Sequence, residues 1–252
     1  MSSVTMPESR PDRGAAAAAE PIARPKVPWW LVGLAFGTLV SGQVVGFLTS
    51  EPDRDMGHLQ KIMYVHVPAA WASFIAFFIV FWASVTVLWK RNERADLLNA
   101  AAAEAGAVLT GLTLVLGSIW GRPTWGVWWT WDARLTSTAV LFLVFVGFLA
   151  LRALTDDPER RARWSAAVGI LGALNVPIVY MSVKWWRTLH QLQSSPSTVD
   201  ADYVLGLRWN AFAFAFALAA FVTIRYRTAL FALAADRRAE ARALAGGSTD
   251  AR

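Results

Sequence analysis

The chain has 252 residues, of which 56% are hydrophobic and only 17% charged, with a mean hydropathy of +0.39 and a formal net charge of +6. A soluble globular domain carries about 25% charged residues, so this composition excludes an ordinary soluble domain and describes a chain that crosses a membrane several times. The sequence contains no cysteine, which excludes a disulfide framework and thiolate ligation and leaves His, Met, Tyr and carboxylates as side-chain metal ligands.

Residues 1–28 are rich in Ala, Pro and Arg without a sustained apolar period, and read as a disordered cytoplasmic tail. Residues 29–49 form the first apolar segment. It is longer than the about 7–15 apolar residues of a signal peptide and lacks a small-residue cleavage site, so a retained helix is expected. A polar loop, 50–61, leads to a second segment at 62–89, long enough for a hydrocarbon core of about 30 Å even when tilted. Pro68 stands near its start, where a helix tolerates proline best. After a basic loop, 90–99, the third segment is 100–120, with Gly106, Gly111 and Gly117 as small residues that let helix backbones approach closely. A fourth segment is expected at 135–154, a charged turn at 155–163, and a fifth at 164–183, interrupted by Asn175 and Pro177. A polar loop with Trp185 and Trp186 precedes the sixth segment, 204–224, and residues 227–252 form a basic cytoplasmic tail. The expected fold is all-α, a polytopic membrane protein with one six-helix domain over residues 29–226.

Lys and Arg orient it. With the N-terminus inside, the cytoplasmic pieces carry four in residues 1–28, three in 90–99, four in 152–163 and six in 225–252, seventeen together against six in the outer loops. Both termini are thus expected in the cytoplasm. The basic surplus is a topology signal and calls for no nucleic acid.

Between the third and fourth segments lies the most unusual stretch, WGRPTWGVWWTWDAR, with Trp120, Trp125, Trp128, Trp129 and Trp131 inside twelve residues. Tryptophans anchor many helix ends at a membrane interface, but such belts are spread over several helices. Concentrated here beside Arg122, Asp132 and Arg134, they suggest a platform for a large, flat, apolar ligand with charged groups on one rim. A helical second half would put Trp125, Trp128, Trp129 and Asp132 on one face.

The three histidines are His58, His66 and His190. His58 lies in a charged loop and reads as a solvated surface residue. His66 lies about one turn into the second segment, where an ionisable side chain is a functional candidate by default. His190 follows the fifth segment in KWWRTLHQ. The two are 124 positions apart, yet the topology brings both to the side that carries the tryptophans. Two imidazoles without a third protein ligand suit zinc poorly and suit the axial positions of haem, whose macrocycle supplies four nitrogens. Arg122, Arg134, Lys184 and Arg187 are the cations available to pair with propionates.

These motifs carry a family resemblance. WGRPTWGVWWTWDARLTS resembles the tryptophan-rich signature of the haem-handling membrane proteins of cytochrome c biogenesis. MYVHVPAAW and WWRTLHQ flank it in the order and spacing of the CcmC, or haem exporter protein C, family, over roughly residues 28–230. The resemblance implies a b-type, non-covalent haem with His66 and His190 as axial ligands. It implies that the periplasmic stretch Trp120, Gly121, Arg122, Pro123, Trp125, Gly126, Trp128, Trp129, Trp131, Asp132 and Arg134 holds that haem; within it Asp132 orients either a tryptophan N–H or a partner. It also implies the ABC-type subunits CcmA and CcmB, the small protein CcmD and the haem chaperone CcmE as partners, in a bacterial inner membrane. Haem would be presented to CcmE, with at most a lyase-like transfer activity in this chain. No G-x-x-x-x-G-K-[ST] pattern is present, so ATP hydrolysis would come from a partner. The competing readings are a permease for haem or another solute, a subunit that only docks an ATPase, and a larger relative that attaches haem to apocytochrome directly.

Overall fold

The computed structural model describes residues 25–192 and 198–247. The tail expected at 1–28 therefore lies outside the described residues up to position 24. Among the described residues six α-helices follow in order: α1 Trp29–Thr49, α2 Met63–Lys90, α3 Glu93–Trp125, α4 Ala133–Leu154, α5 Pro158–Trp185 and α6 Ala201–Gly247, with a 3-10 turn, His58–Ile62, before α2. All six are long and apolar enough to cross a membrane. Only a helix satisfies every backbone N–H and C=O within one segment, which is why apolar sequence of this length folds so.

Two of the connections are shorter than the hydropathy suggested, because polar residues cap helices instead of forming loops. Asn92 accepts from the Ala95 N–H at 3.1 Å and starts α3, with Glu93 and Asp96 in its first turn. The expected loop at 90–99 thus shrinks to Arg91 and Asn92. Asp157 caps α5 in the same way by accepting from the Arg160 N–H at 2.8 Å, with Pro158 at the first helical position. That N–H stabilises the charged form and holds the Asp157 carboxyl below its usual range. The expected interruption of the fifth segment is absent: α5 runs through Asn175 and Pro177. The Asn175 amide is satisfied by the Ser137 carbonyl of α4 at 2.8 Å. On the far side of the last connection, α6 begins three residues before the expected span and continues as helix into the basic tail.

Residues 27–226 form one compact unit. Its core centres on α2, which packs against α3 and α5, while α4 packs against the same two helices. Ala69, Ala72 and Ala76 of α2 meet Ala101 and Ala105 of α3 and Phe214, Leu218 and Val222 of α6. A second cluster joins Phe77 and Val80 to Ala102, Ala103, Leu141, Phe145, Phe148 and Val179. Small residues face large ones throughout, which gives the close contact that holds helices together where lipid competes for apolar surface. Gly106, expected to bring backbones together, instead receives the Phe145 ring. The described residues outside it, 25–26 and 227–247, belong to a second unit in which the Arg227 guanidinium donates to the Lys26 carbonyl at 2.9 Å.

Several polar side chains inside the first unit pair across helices. Arg152 in the last turn of α4 meets Asp96 in the first turn of α3, donating to one carboxylate oxygen at 2.9 Å, and donates to Ser165 of α5 at 3.0 Å. Asn210 of α6 donates to the Gly42 carbonyl of α1 at 2.9 Å and accepts from Gln43 at 2.6 Å. Lys61 donates to the Phe47 and Ser50 carbonyls at 3.0 and 2.8 Å, closing the C-terminal end of α1 and fixing the chain that enters α2.

Breaking the Asp96–Arg152 pair leaves a buried cation uncompensated. Asp96→Ala is expected to lower stability by about 3–5 kcal/mol, and the double replacement Asp96→Leu, Arg152→Met to recover most of that loss. Thermal unfolding of the purified protein in detergent checks both.

A candidate ligand site at one end of the helix bundle

The ends of α2, α3, α4 and α5 converge on a cavity of about 300 Å³, at the small end of the range for ligand pockets. Its walls come from the first turns of α2, the last three turns of α3, the start of α4, the last two turns of α5 and the segment that follows. Along α3 the lining residues Thr113, Gly117, Trp120, Gly121 and Thr124 recur at i, i+4, i+7, i+8 and i+11, one face of one helix.

Both expected histidines line this cavity. His66 projects from the second turn of α2 and is 7% exposed. Its ring lies edge-on to Trp120, with centroids 5.6 Å apart and planes at 73°. On another side it meets Gly117, where an added Cβ would stand 3.0 Å from the imidazole Cε1. Gly117 is therefore a seat for a ring and not a point of backbone approach. The His66 Nδ1 is buried without a hydrogen-bond partner.

His190 sits beyond α5, half-buried, 6.3 Å from Trp125 between ring centroids. Its Nδ1 is 2.9 Å from the Gln191 carbonyl. A carbonyl only accepts, so Nδ1 carries the proton and the Nε2 lone pair is left open, the arrangement seen in metal-binding histidines. Burial lowers the His190 pKa below its ordinary value, and the Arg134 guanidinium adds to this while the Gln191 carbonyl opposes it. The imidazole is accordingly held neutral at neutral pH, the form that binds a metal. Exposed His58 does not line the cavity.

The tryptophan stretch does not form one helical face. Gly126 adopts φ 78°, a left-handed conformation that favours glycine, and its N–H closes on the Arg122 carbonyl. This ends α3 at Trp125, and Asp132 starts α4 by accepting from the Leu135 N–H at 2.8 Å. The residues between are irregular, and their side chains divide. Trp120, Trp125 and Trp129 line the cavity together with Gly121 and Arg134. Trp128 and Trp131 are 59% and 82% exposed and lie outside it. Arg122 bonds back to the Gly126 carbonyl and Pro123 lies within the last turn of α3, so both shape the helix end. Lys184 and Arg187 are exposed and outside the lining.

Arg134 alone among the expected cations reaches the cavity, and α5 holds it there: its Nε donates to Ser182 at 2.9 Å and one Nη to the Tyr180 carbonyl at 3.2 Å. Nearby, the indole N–H groups of Trp120 and Trp129 are buried with no acceptor. A buried donor left unsatisfied is costly, so the wall offers two N–H groups and a guanidinium to an acidic or carbonyl-bearing ligand. Asp132 faces away from this wall and toward the His190 segment. Its second oxygen accepts from the Thr188 hydroxyl at 2.7 Å and the Leu189 N–H at 3.2 Å, and Thr188 accepts in turn from the His190 N–H at 3.0 Å. Gly117 and Thr188 were missed by sequence reasoning. The α3 stripe signals the first, provided the helix is carried past Trp120; nothing local to Thr188 signals the second.

Among the described residues no group of three or more His, Cys, Asp or Glu side chains is placed to hold a bare metal ion. Two imidazoles against an apolar aromatic wall suit a ligand that is flat and brings most of its own metal donors.

Six membrane-spanning helices with an aromatic, imidazole-bearing cavity at one end of the bundle define a multi-pass membrane protein with a candidate ligand site among its helix ends. Comparison with known proteins narrows the class. Residues 14–242 match the family described as CcmC: Heme exporter protein C. The chain is 41% identical over 189 residues to the Heme exporter protein C of Bradyrhizobium diazoefficiens, covering 73% of this chain and 72% of that one. It is 38% identical over 200 residues to that of Escherichia coli K12, covering 79% and 81%. A putative cytochrome c biosynthesis ccmC-like mitochondrial protein of Marchantia polymorpha is 36% identical over 165 residues, covering 65% and 69%. The chain belongs to the CcmC family.

Because Gly117 seats the His66 ring, Gly117→Ala is expected to destabilise the protein by about 1–3 kcal/mol through overpacking. Gly33→Ala, with nothing within 4 Å of the added carbon, serves as the neutral control. Melting temperatures of the two purified variants decide this.

Proposed function

We propose that this chain binds haem at the periplasmic end of the helix bundle, ligates its iron through His66 and His190, and presents it to the chaperone CcmE during cytochrome c maturation. The observation that carries the reading is the convergence of two imidazoles, 124 positions apart in sequence, on one tryptophan-lined cavity. Family membership supports a role in haem handling, and the names of the relatives point the same way. The orientation rests on the excess of Lys and Arg in the segments expected to be cytoplasmic, seventeen against six in the others.

The residues present fit the group. An open Nε2 on His190 and an unpartnered Nδ1 on His66 are nitrogens available to an iron. Trp120, Trp125 and Trp129 supply apolar, polarisable surface for a macrocycle, while Arg134 and the two unpaired indole N–H groups are donors for propionates. Haem, when bound, supplies the vinyl group that becomes joined to the chaperone. The part of this chain is to orient the group, exclude water from its inner face and leave one edge accessible, which is catalysis by positioning. No nucleophile–base pair is among the described residues lining the cavity. Exposed Trp128 and Trp131, outside the cavity and next to its rim in sequence, are placed to meet membrane lipid or the incoming chaperone.

CcmA, CcmB and CcmD complete the proposed ABC-type assembly in the bacterial inner membrane, with ATP hydrolysis in a partner. A permease reading would favour a broken helix at mid-membrane depth; α5, the one candidate, is continuous.

Absorption spectra of the purified complex test the ligation. Wild-type protein is expected to show a bis-imidazole haem spectrum, and His66→Ala and His190→Ala each to lose it. An unchanged spectrum in both variants overturns the assignment.

A further inference from the structure

The two imidazoles are held in different ways. His66 stands on α2, inside a continuous helix, 7% exposed and pressed between Gly117 and Trp120. Its backbone is fixed by the helix and its ring by those two neighbours. His190 stands on irregular chain that leaves α5 at Trp185. Its place depends on a short relay: Asp132 accepts from the Thr188 hydroxyl at 2.7 Å and from the Leu189 N–H at 3.2 Å, and the Thr188 oxygen accepts from the His190 N–H at 3.0 Å. The relay crosses 56 residues of sequence and ties the start of α4 to the segment after α5.

We infer that Asp132 and Thr188 form a latch that sets the position of His190, so that the two haem ligands are unequal and His190 is the one that yields when haem leaves. Thr188 is a positioning residue: it is not itself among the residues lining the cavity and acts through the backbone of His190. The inference rests on the haem reading above for its consequence, but the latch itself is a property of the ligand-free chain. Because it is anchored at the residue that also caps α4, a partner that pulls on the Leu189 segment, or competes for the Asp132 oxygen, releases His190 without disturbing His66. Leu189, 54% exposed, offers such a partner a handle.

The chain has no cysteine, so a single spin label on Arg187→Cys, an exposed position outside the cavity, reports on the segment directly. Thr188→Val keeps the shape and the α4 cap but removes the hydroxyl. In ligand-free protein it is expected to make the label more mobile, and in haem-loaded protein to raise the rate of haem loss to a scavenger about tenfold, the scale of a lost hydrogen bond to a charged acceptor. Thr188→Ser is expected to restore both. Asp132→Asn keeps one acceptor oxygen for the Leu135 N–H at the α4 cap but turns a donor NH2 toward the Thr188 hydroxyl and the Leu189 N–H. It is expected to mobilise the label as Thr188→Val does, and the double variant to go no further, since one latch breaks once. An immobile label and an unchanged rate in Thr188→Val overturn the latch, as does failure of Thr188→Ser to rescue. If instead His190→Ala keeps its haem spectrum while the label responds as expected, the latch stands and the ligand role of His190 falls.

Discussion

Asp132 serves two neighbours with one carboxylate. One oxygen accepts from the Leu135 N–H and so begins α4; the other accepts from Thr188 and Leu189 and so holds the segment that carries His190. The direction of α4 and the position of His190 are therefore set by the same side chain. Arg134, two residues on, reaches across to Ser182 and Tyr180 of α5 and fixes the opposite side of the same junction. Charged hydrogen bonds are roughly twice as strong as neutral ones, and here they act where helices end, since the membrane-spanning parts have their backbone groups already satisfied.

That division explains the arrangement of the site. In the middle of the bundle alanine, glycine and phenylalanine interlock, with Gly106 under Phe145 as the clearest case. Toward the end, the same device is turned to chemistry. Gly117 receives the His66 imidazole, and Gly121 receives the six-membered ring of Trp125, where an added Cβ would come within 2.9 Å. A helix face that elsewhere would pack a neighbour becomes the wall of a cavity because its small residues admit rings that do not fill it.

The five tryptophans have two uses, and the turn at one glycine makes the division possible. Left-handed Gly126 stops α3 and turns the following residues out of helical phase. Trp120 and Trp125, before it, face inward beside His66 and His190 respectively, and Trp129 closes the wall after it. Trp128 and Trp131 point away. A continuous helix would have put Trp125, Trp128 and Trp129 on a single face and left one flat shelf. The turn gives a recess with an aromatic rim instead.

Much of this was legible in the order of residues. Six apolar stretches specify six helices because backbone satisfaction in a bilayer is a local requirement, and Trp29–Thr49 appears with the boundaries read from hydropathy. The bringing together of His66, His190 and the tryptophans at one end follows from counting crossings, which is also local. Helix ends were less legible at Asn92 and Asp157, where polar residues that look like loop are caps. What only the tertiary structure decided is phase and reach: which tryptophans face the cavity after the turn at Gly126, that Gly117 lies against an imidazole 51 positions away, and that Asp132 finds Thr188. These depend on how one helix is rotated against another, and rotation is set by the summed packing of many side chains, which no single stretch of sequence contains.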